Sequence, residues 1–159
     1  MQNLSELVRR LIFSDVEFVL VGGFAAVAHG VTLVTRDLDI CCRFTETNLM
    51  RIQNAFTDLH PVHRPRTDLP LNLKPEQCAG LKNLYLRTDL GNVDCLSEIL
   101  GLGGFDEVFQ KSIKVELPSG ICHILDIDPL IRAKEAMNRE HDRITVRHLK
   151  EIQKQKSKK

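Results

Sequence analysis

The sequence has no apolar run long enough to cross a membrane. Its longest, FVLVGGFAAVA over residues 18–28, is broken by two glycines and ends at His29, well short of the roughly 20 residues that a bilayer core requires. The N-terminus, MQNLSELVRRLIFSDVEF, has no continuous apolar segment behind a basic start and carries acidic residues, so it does not read as a secretory or organelle signal. The expectation is a soluble, cytoplasmic chain. A disulfide framework is missing as well. The five cysteines are an odd number, and Cys41 and Cys42 are adjacent, a spacing used by neither disulfide scaffolds nor CxxC metal knuckles. His60 and His63 with distant Cys78 lack the second closely spaced pair of a structural zinc site. With no repeat, low-complexity block or Gly/Ser linker, a single domain is expected over residues 1–159, its core over about 1–125 and C-terminal helices over about 126–156.

What is present is an ordinary globular balance, 43% apolar against 27% charged residues, and one uneven feature. Net charge is +1, yet residues 132–159 hold ten Lys/Arg against four Asp/Glu. That segment is basic enough to meet nucleic acid or phosphate, although a solvated helix face with a frayed end explains it equally well.

Leu4, Leu7, Val8, Leu11 and Ile12 recur at helical spacing. VEFVLV over residues 16–21 reads as a buried strand ended by Gly22-Gly23, and FAAVAHG as a short helix stopped by Gly30. Residues 36–41 read as a second strand and 46–59 as a helix, whereas residues 61–77 are too proline-rich for either. Hairpins are expected from residues 82–87 with 92–96 and from 113–117 with 121–125. Two helices close the chain, one from Pro129 with Asp128 as its N-cap and one over residues 141–155. This order predicts an α+β fold, a mixed β-sheet flanked by helices with a C-terminal helical extension.

Asp37-Leu38-Asp39-Ile40 carries the most chemical information. Strand residues two apart share a face, so both carboxylates point one way while Leu38 and Ile40 anchor the other. Two such carboxylates repel unless a cation lies between them, and Mg²⁺ or Mn²⁺, hard ions that prefer oxygen, suit the pair. A pair of surface acids on an edge strand is the plainer reading. Upstream, Gly22-Gly23 ends a strand and opens a helix, where backbone N–H groups can hold phosphate, although a purely structural turn uses the same residues. The glycines match neither GxGxxG nor GxxxxGK[ST], which disfavours Rossmann and P-loop folds.

Together these residues resemble the signature of the nucleotidyltransferase superfamily of DNA polymerase β-like fold: an apolar strand, Gly-Gly or Gly-Ser, a short helix, then Asp-h-Asp-h, where h is apolar. The match looks closest to the small bacterial branch that contains toxin–antitoxin nucleotidyltransferases, with the pattern GG-x-A-x₃-HG-x₄-T-x-D-h-D-h met by Gly22, Gly23, Ala25, His29, Gly30, Thr35, Asp37 and Asp39. Members often carry Arg three residues after His-Gly, where this chain has Leu33. The resemblance implies a third carboxylate on a later strand. Asp94, between Val93 and Cys95, matches by order, and Asp89 in the expected turn is the alternative.

Lys134-x₄-Arg139-x₂-Asp142 resembles a K-x₃-GR-x-KD-like element of the same branch, with Asn138 in place of its glycine and His141 in place of its lysine. Independently, Lys134 falls within an apolar helical stripe of Ile127, Leu130, Ile131 and Met137, so it either snorkels outward or faces a polar cavity. His29 is expected to hydrogen-bond locally and hold its loop. The resemblance implies a metal-dependent nucleotidyltransferase in which Asp37, Asp39 and Asp94 hold Mg²⁺ or Mn²⁺ and carry catalysis. Gly22, Gly23, Lys134 and Arg139 would bind the NTP. It further implies an acceptor such as RNA or a tRNA 3′ end and an antitoxin partner protein. The alternative is a catalytically inactive module of the same fold that binds a partner protein or RNA.

Overall fold

A computed structural model describes residues 2–157. The first helix, α1 (Leu4–Phe13), starts at Asn3, whose side chain accepts the Glu6 N–H at 3.1 Å. Its buried face is Leu4, Leu7, Val8 and Leu11, the i, i+3, i+4, i+7 set that the sequence spells out. Strand β1 (Phe18–Val21) is buried throughout. It begins two residues later than expected because the Val16 N–H closes the preceding turn onto Leu11 O at 3.1 Å.

Helix α2 (Gly22–Ala28) begins at the glycines themselves, two residues before the predicted start. At φ +69°, Gly22 takes a backbone conformation that lets strand pass into helix without an intervening loop. Strand β2 (Asp37–Cys42) and helix α3 (Glu46–Ala55) follow, the latter capped by Thr45 through the Asn48 N–H at 3.2 Å. The helix ends before residue 59 because a single 3₁₀ turn, Thr57–Leu59, leads into left-handed His60 at φ 51°.

Residues 61–77 are largely irregular, as expected, but contain two short elements, β3 (Val62–His63) and α4 (Pro75–Cys78). The predicted hairpins are β4 (Asn83–Thr88) with β5 (Gly91–Leu96), and β8 (Ser112–Leu117) with β9 (Gly120–Leu125). Between them lie a small two-stranded ribbon, β6 (Glu98–Ile99) with β7 (Gly103–Gly104), and helix α5 (Phe105–Gln110). Helix α6 (Ile127–Met137) is capped by Asp126, whose carboxylate accepts the Ile127 N–H at 2.8 Å. The expected cap, Asp128, instead lies in the first turn beside Pro129, where a missing N–H leaves no helix bond unmade. Helix α7 (Glu140–Ser157) closes the described chain.

The strands form one seven-stranded sheet in the order β3-β4-β5-β2-β1-β9-β8. Pairs β2/β5 and β1/β9 are parallel and the others antiparallel. The expected mixed sheet with flanking helices is thus the observed α+β architecture. Its core includes the fully buried Leu20, Leu38, Ile40, Leu86 and Ile124 of the sheet and Leu7, Leu11, Leu49 and Ile52 of the helices. All five cysteines are buried and unpaired, and burial pushes the Cys41 thiol up to about 12 and Cys122 to about 11. Among the described residues no helix is long and apolar enough to cross a membrane.

Candidate functional site

The polar residues of β2 alternate with its core residues: Asp37 and Asp39 are partly exposed, while Leu38 and Ile40 are sealed. On parallel β5, Val93 and Cys95 are sealed and Asn92 and Asp94 are partly exposed. The register sets Asp37 opposite Asn92 and Asp39 opposite Asp94, so all four side chains share one face of the sheet. Asn92 donates through Nδ2 to Asp37 Oδ1 at 3.1 Å. The three acids, 57 positions apart at their extremes in sequence, meet on two adjacent strands.

The two glycines serve this face differently. A Cβ at Gly22 would overlap the Asp39 carboxylate and lie 2.9 Å from Asp39 Cβ, so only glycine lets β2 bring its second acid against the start of α2. A Cβ at Gly23 would lie 3.0 Å from Thr35 Oγ1. Thr35 in turn donates to Asp37 O at 3.0 Å and steadies the entry to β2. Leu33, where the resemblance implies Arg, packs against the core and faces Gly23.

Gly22 and Asp39 line a cavity of about 660 Å³ together with Lys134 of α6, Arg139 of the α6–α7 turn and Asp142 of α7. Its remaining lining is mainly aliphatic, with Leu96, Ile99, Leu102, Leu125 and Leu130 among it. Lys134 is buried, and its Nζ lies 3.4 Å from Oδ1 of fully buried Asp142. Arg139 donates to the same carboxylate through Nε at 2.6 Å and through its backbone N–H at 3.2 Å. Burial acts to raise Asp142, but its bonds to Arg139 and the charge of Lys134 outweigh it and hold the carboxyl below the usual range. The turn that brings Arg139 back to Asp142 runs through Asn138, left-handed at φ 52°. Asparagine tolerates that conformation, which explains how it stands where the resembling element has glycine.

Asp39 behaves in the opposite way. Burial, and next the charge of Asp37, raise its carboxyl to about 6, with Lys134, Arg139 and Arg64 partly offsetting them. A cation between Asp37 and Asp39 would relieve that repulsion, and an all-oxygen donor set suits a hard divalent ion. The pair fits Mg²⁺ or Mn²⁺. Asp94 is engaged elsewhere: its Oδ1 is ion-paired with Arg64 Nη2. Among the described residues no three His, Cys, Asp or Glu side chains are grouped as metal ligands.

Arg64 and Asn92 are the site residues that sequence reasoning missed. Asn92 was accessible, because it precedes Asp94 by two and must share its face. Arg64 carries no such signal, sitting in the proline-rich segment. His29, expected to bond locally, reaches across the fold instead: its Nε2 lies 2.8 Å from Leu125 O and ties the end of α2 to β9. Asp89, the alternative third acid, sits in the β4–β5 turn and pairs with His60 at 2.6 Å, away from the carboxylate face.

No protein-family model matches the chain, and no curated protein matches it by sequence. Solved structures do match in shape. A candidate nucleotidyltransferase of Thermotoga maritima is 17% identical, with 91% of this chain and 88% of that one covered at a TM-score of 0.58. The lincosamide antibiotic adenylyltransferase LnuA, solved with lincomycin bound, is 14% identical, with 89% and 90% covered at a TM-score of 0.60. The shape common to all three, with the in-register carboxylates of β2 and β5, identifies this chain as a protein of nucleotidyltransferase fold.

Proposed function

We propose that the chain transfers a nucleoside monophosphate from an NTP to an acceptor hydroxyl. The observation that carries this reading is the register of Asp39 with Asp94 beside a cavity that also holds Gly22, Lys134 and Arg139. Asp39 and the cations Lys134 and Arg139 thus line one space large enough for a nucleotide. Asp37, Asp39 and Asp94 would hold Mg²⁺ or Mn²⁺, which when bound offsets charge on the phosphates. Lys134 and Arg139 orient the triphosphate, and the N–H groups of Gly22 and Gly23 at the start of α2 approach its oxygens. Asp94 takes the proton of the acceptor hydroxyl as that oxygen bonds to the α-phosphorus. The bond from the α-phosphorus to the bridging oxygen breaks, and pyrophosphate leaves.

The proposed acceptor is RNA, with a tRNA 3′ end as its most specific form. The basic surface of α7, with Arg143, Arg147, Lys150, Lys154 and Lys156, supports it. An antitoxin protein would be the partner of such an activity in the cytoplasm. A small-molecule acceptor is favoured by one observation, the aliphatic lining of the cavity, and LnuA with its bound lincomycin supplies a probe. A non-catalytic binding module is favoured by another, the engagement of Asp94 by Arg64.

The test supplies each α-³²P-labelled NTP with Mg²⁺ to the protein together with total RNA, lysate protein or lincomycin. Label on RNA supports the full reading. Label on protein or lincomycin keeps nucleotidyl transfer and replaces the acceptor. No transfer with any NTP, alongside retained RNA or protein binding, establishes the non-catalytic module.

A further inference from the structure

We propose that Arg64 is a positioning residue that competes with the divalent ion for Asp94, holding the third carboxylate while the site is metal-free and yielding it when metal binds. The proposal rests on the reading of Asp94 as a metal ligand given above.

Arg64 is placed by backbone structure. Strand β3 pairs with β4 through Val62↔Arg87 and His63↔Leu86, and the next N–H, that of Arg64, donates to Tyr85 O at 3.0 Å. Tyr85 is the register partner of Asp94 on β5. From this anchor the Arg64 side chain crosses β4. Its Nε donates to Leu86 O at 3.1 Å, and its Nη2 meets the Asp94 carboxylate. Both side chains are about four-fifths shielded, at 22% and 21% exposure, so the pair is screened less than one at the surface.

The chemical setting gives this contact its meaning. Asp94 stands in register with Asp39, and Asp39 shares its face of β2 with Asp37 two residues before it. Three carboxylates on one face need positive charge, and the guanidinium supplies it at the position nearest β3. A divalent ion would draw on the same carboxylate, and the Oδ1 lone pair bound to Arg64 is not free to ligate it. Two cations that weaken each other's hold on one carboxylate are thermodynamically linked. Arg64 lowers metal affinity by the factor through which metal weakens the Arg64 contact.

The experiment titrates metal-free full-length protein with Mn²⁺ and follows the free ion by electron paramagnetic resonance. Arg64→Met removes the competing charge and keeps the apolar stem, so it should bind Mn²⁺ more tightly by on the order of fivefold. Arg64→Lys retains a cation and should stay near the native affinity. In an Asp94→Asn background the gain from Arg64→Met should shrink well below its native size, which a merely structural role for Arg64 would not produce. The native protein offers a check free of any variant: the ¹⁵N-detected Arg64 Nε–H resonance should shift on saturation with Mg²⁺. Equal or weaker Mn²⁺ affinity in Arg64→Met, or an unmoved Arg64 resonance while Mg²⁺ binds, overturns the proposal and leaves the metal site standing. Failure of every variant and of the native protein to bind either ion overturns the metal site and this proposal with it.

Discussion

Gly22 and Asp39 occupy space that only one of them can fill: the Asp39 carboxylate lies where a side chain on Gly22 would be, and Gly22 is left-handed at φ +69°. The turn from β1 into α2 and the placement of the second acid are therefore one structural event. Gly22→Ala should cost about 1–3 kcal/mol through the strained backbone alone, and more through displacement of Asp39. Thermal melts would show a drop of several degrees. Gly23→Ala meets the Thr35 side chain, Oγ1 at 3.0 Å and Cβ at 3.3 Å, and has no positive φ, so its loss should be clearly smaller. Equal losses would show that the Asp39 overlap carries no weight.

The raised Asp39 carboxyl gives a pH dependence of defined sign. Its folded-state value of about 6 lies above the ordinary 3.8, so in that window the folded state holds the proton more tightly than the unfolded chain. Its contribution to stability falls as pH rises through the window. Asp39→Asn removes that fall. At pH 7.5 in EDTA the variant should be more stable than the native protein by on the order of 1–3 kcal/mol, and the difference should vanish near pH 4. With Mn²⁺ and NTP the order should reverse, because only the native site gains from binding. Melts from pH 4 to 8, with and without metal, measure both effects.

Asp142 predicts the opposite slope. Its carboxyl is held low, so the stability it contributes is complete above the ordinary aspartate range and is lost as pH falls through its folded-state value. Asp142→Asn should unfold about 2–4 kcal/mol more easily at pH 7, because it strands Lys134 in a buried position. Denaturant titrations at pH 7 and at successively lower pH should show the penalty at the first and its loss once the folded Asp142 carboxyl takes up its proton.

Lys134 touches Asp142 and also lines the cavity. Lys134→Met, which preserves its packing, should weaken NTP binding by roughly ten- to a hundredfold, the worth of a bond to a charged group. Calorimetry with ATP and its three companions measures this. Unchanged affinity would mean that the ammonium serves Asp142 alone.

Truncation after Ile152 should reduce RNA affinity and leave NTP affinity intact. Ile152 packs against the core and marks the end of the needed contacts, whereas Lys154 and Lys156 beyond it are solvated. Each lost phosphate contact should also flatten the salt dependence of RNA binding. An unchanged slope would remove the C-terminal residues of α7 from the interface.

The local grammar of the chain was legible in its sequence, because it depends on neighbours. Alternation placed Leu38 and Ile40 in the core and Asp37 and Asp39 on the other face. Helical spacing predicted the buried face of α1, and Gly22-Gly23 marked the end of β1. Small displacements arose where a nearby hydrogen bond outranked propensity, as when Asp126 rather than Asp128 capped α6. The contacts of the site residues left no such local trace, and only the resemblance brought Asp94 together with Asp37 and Asp39. Side chains far apart in sequence meet only through strand order and helix docking, and neither leaves a periodic trace. Thus the β2–β5 register set Asp39 beside Asp94, the strand β3 carried Arg64 across β4 to Asp94, and the fold brought His29 to Leu125 O. The sequence by itself determined which residues could do chemistry, while the tertiary structure alone decided which charges face each other and which of them are already neutralised.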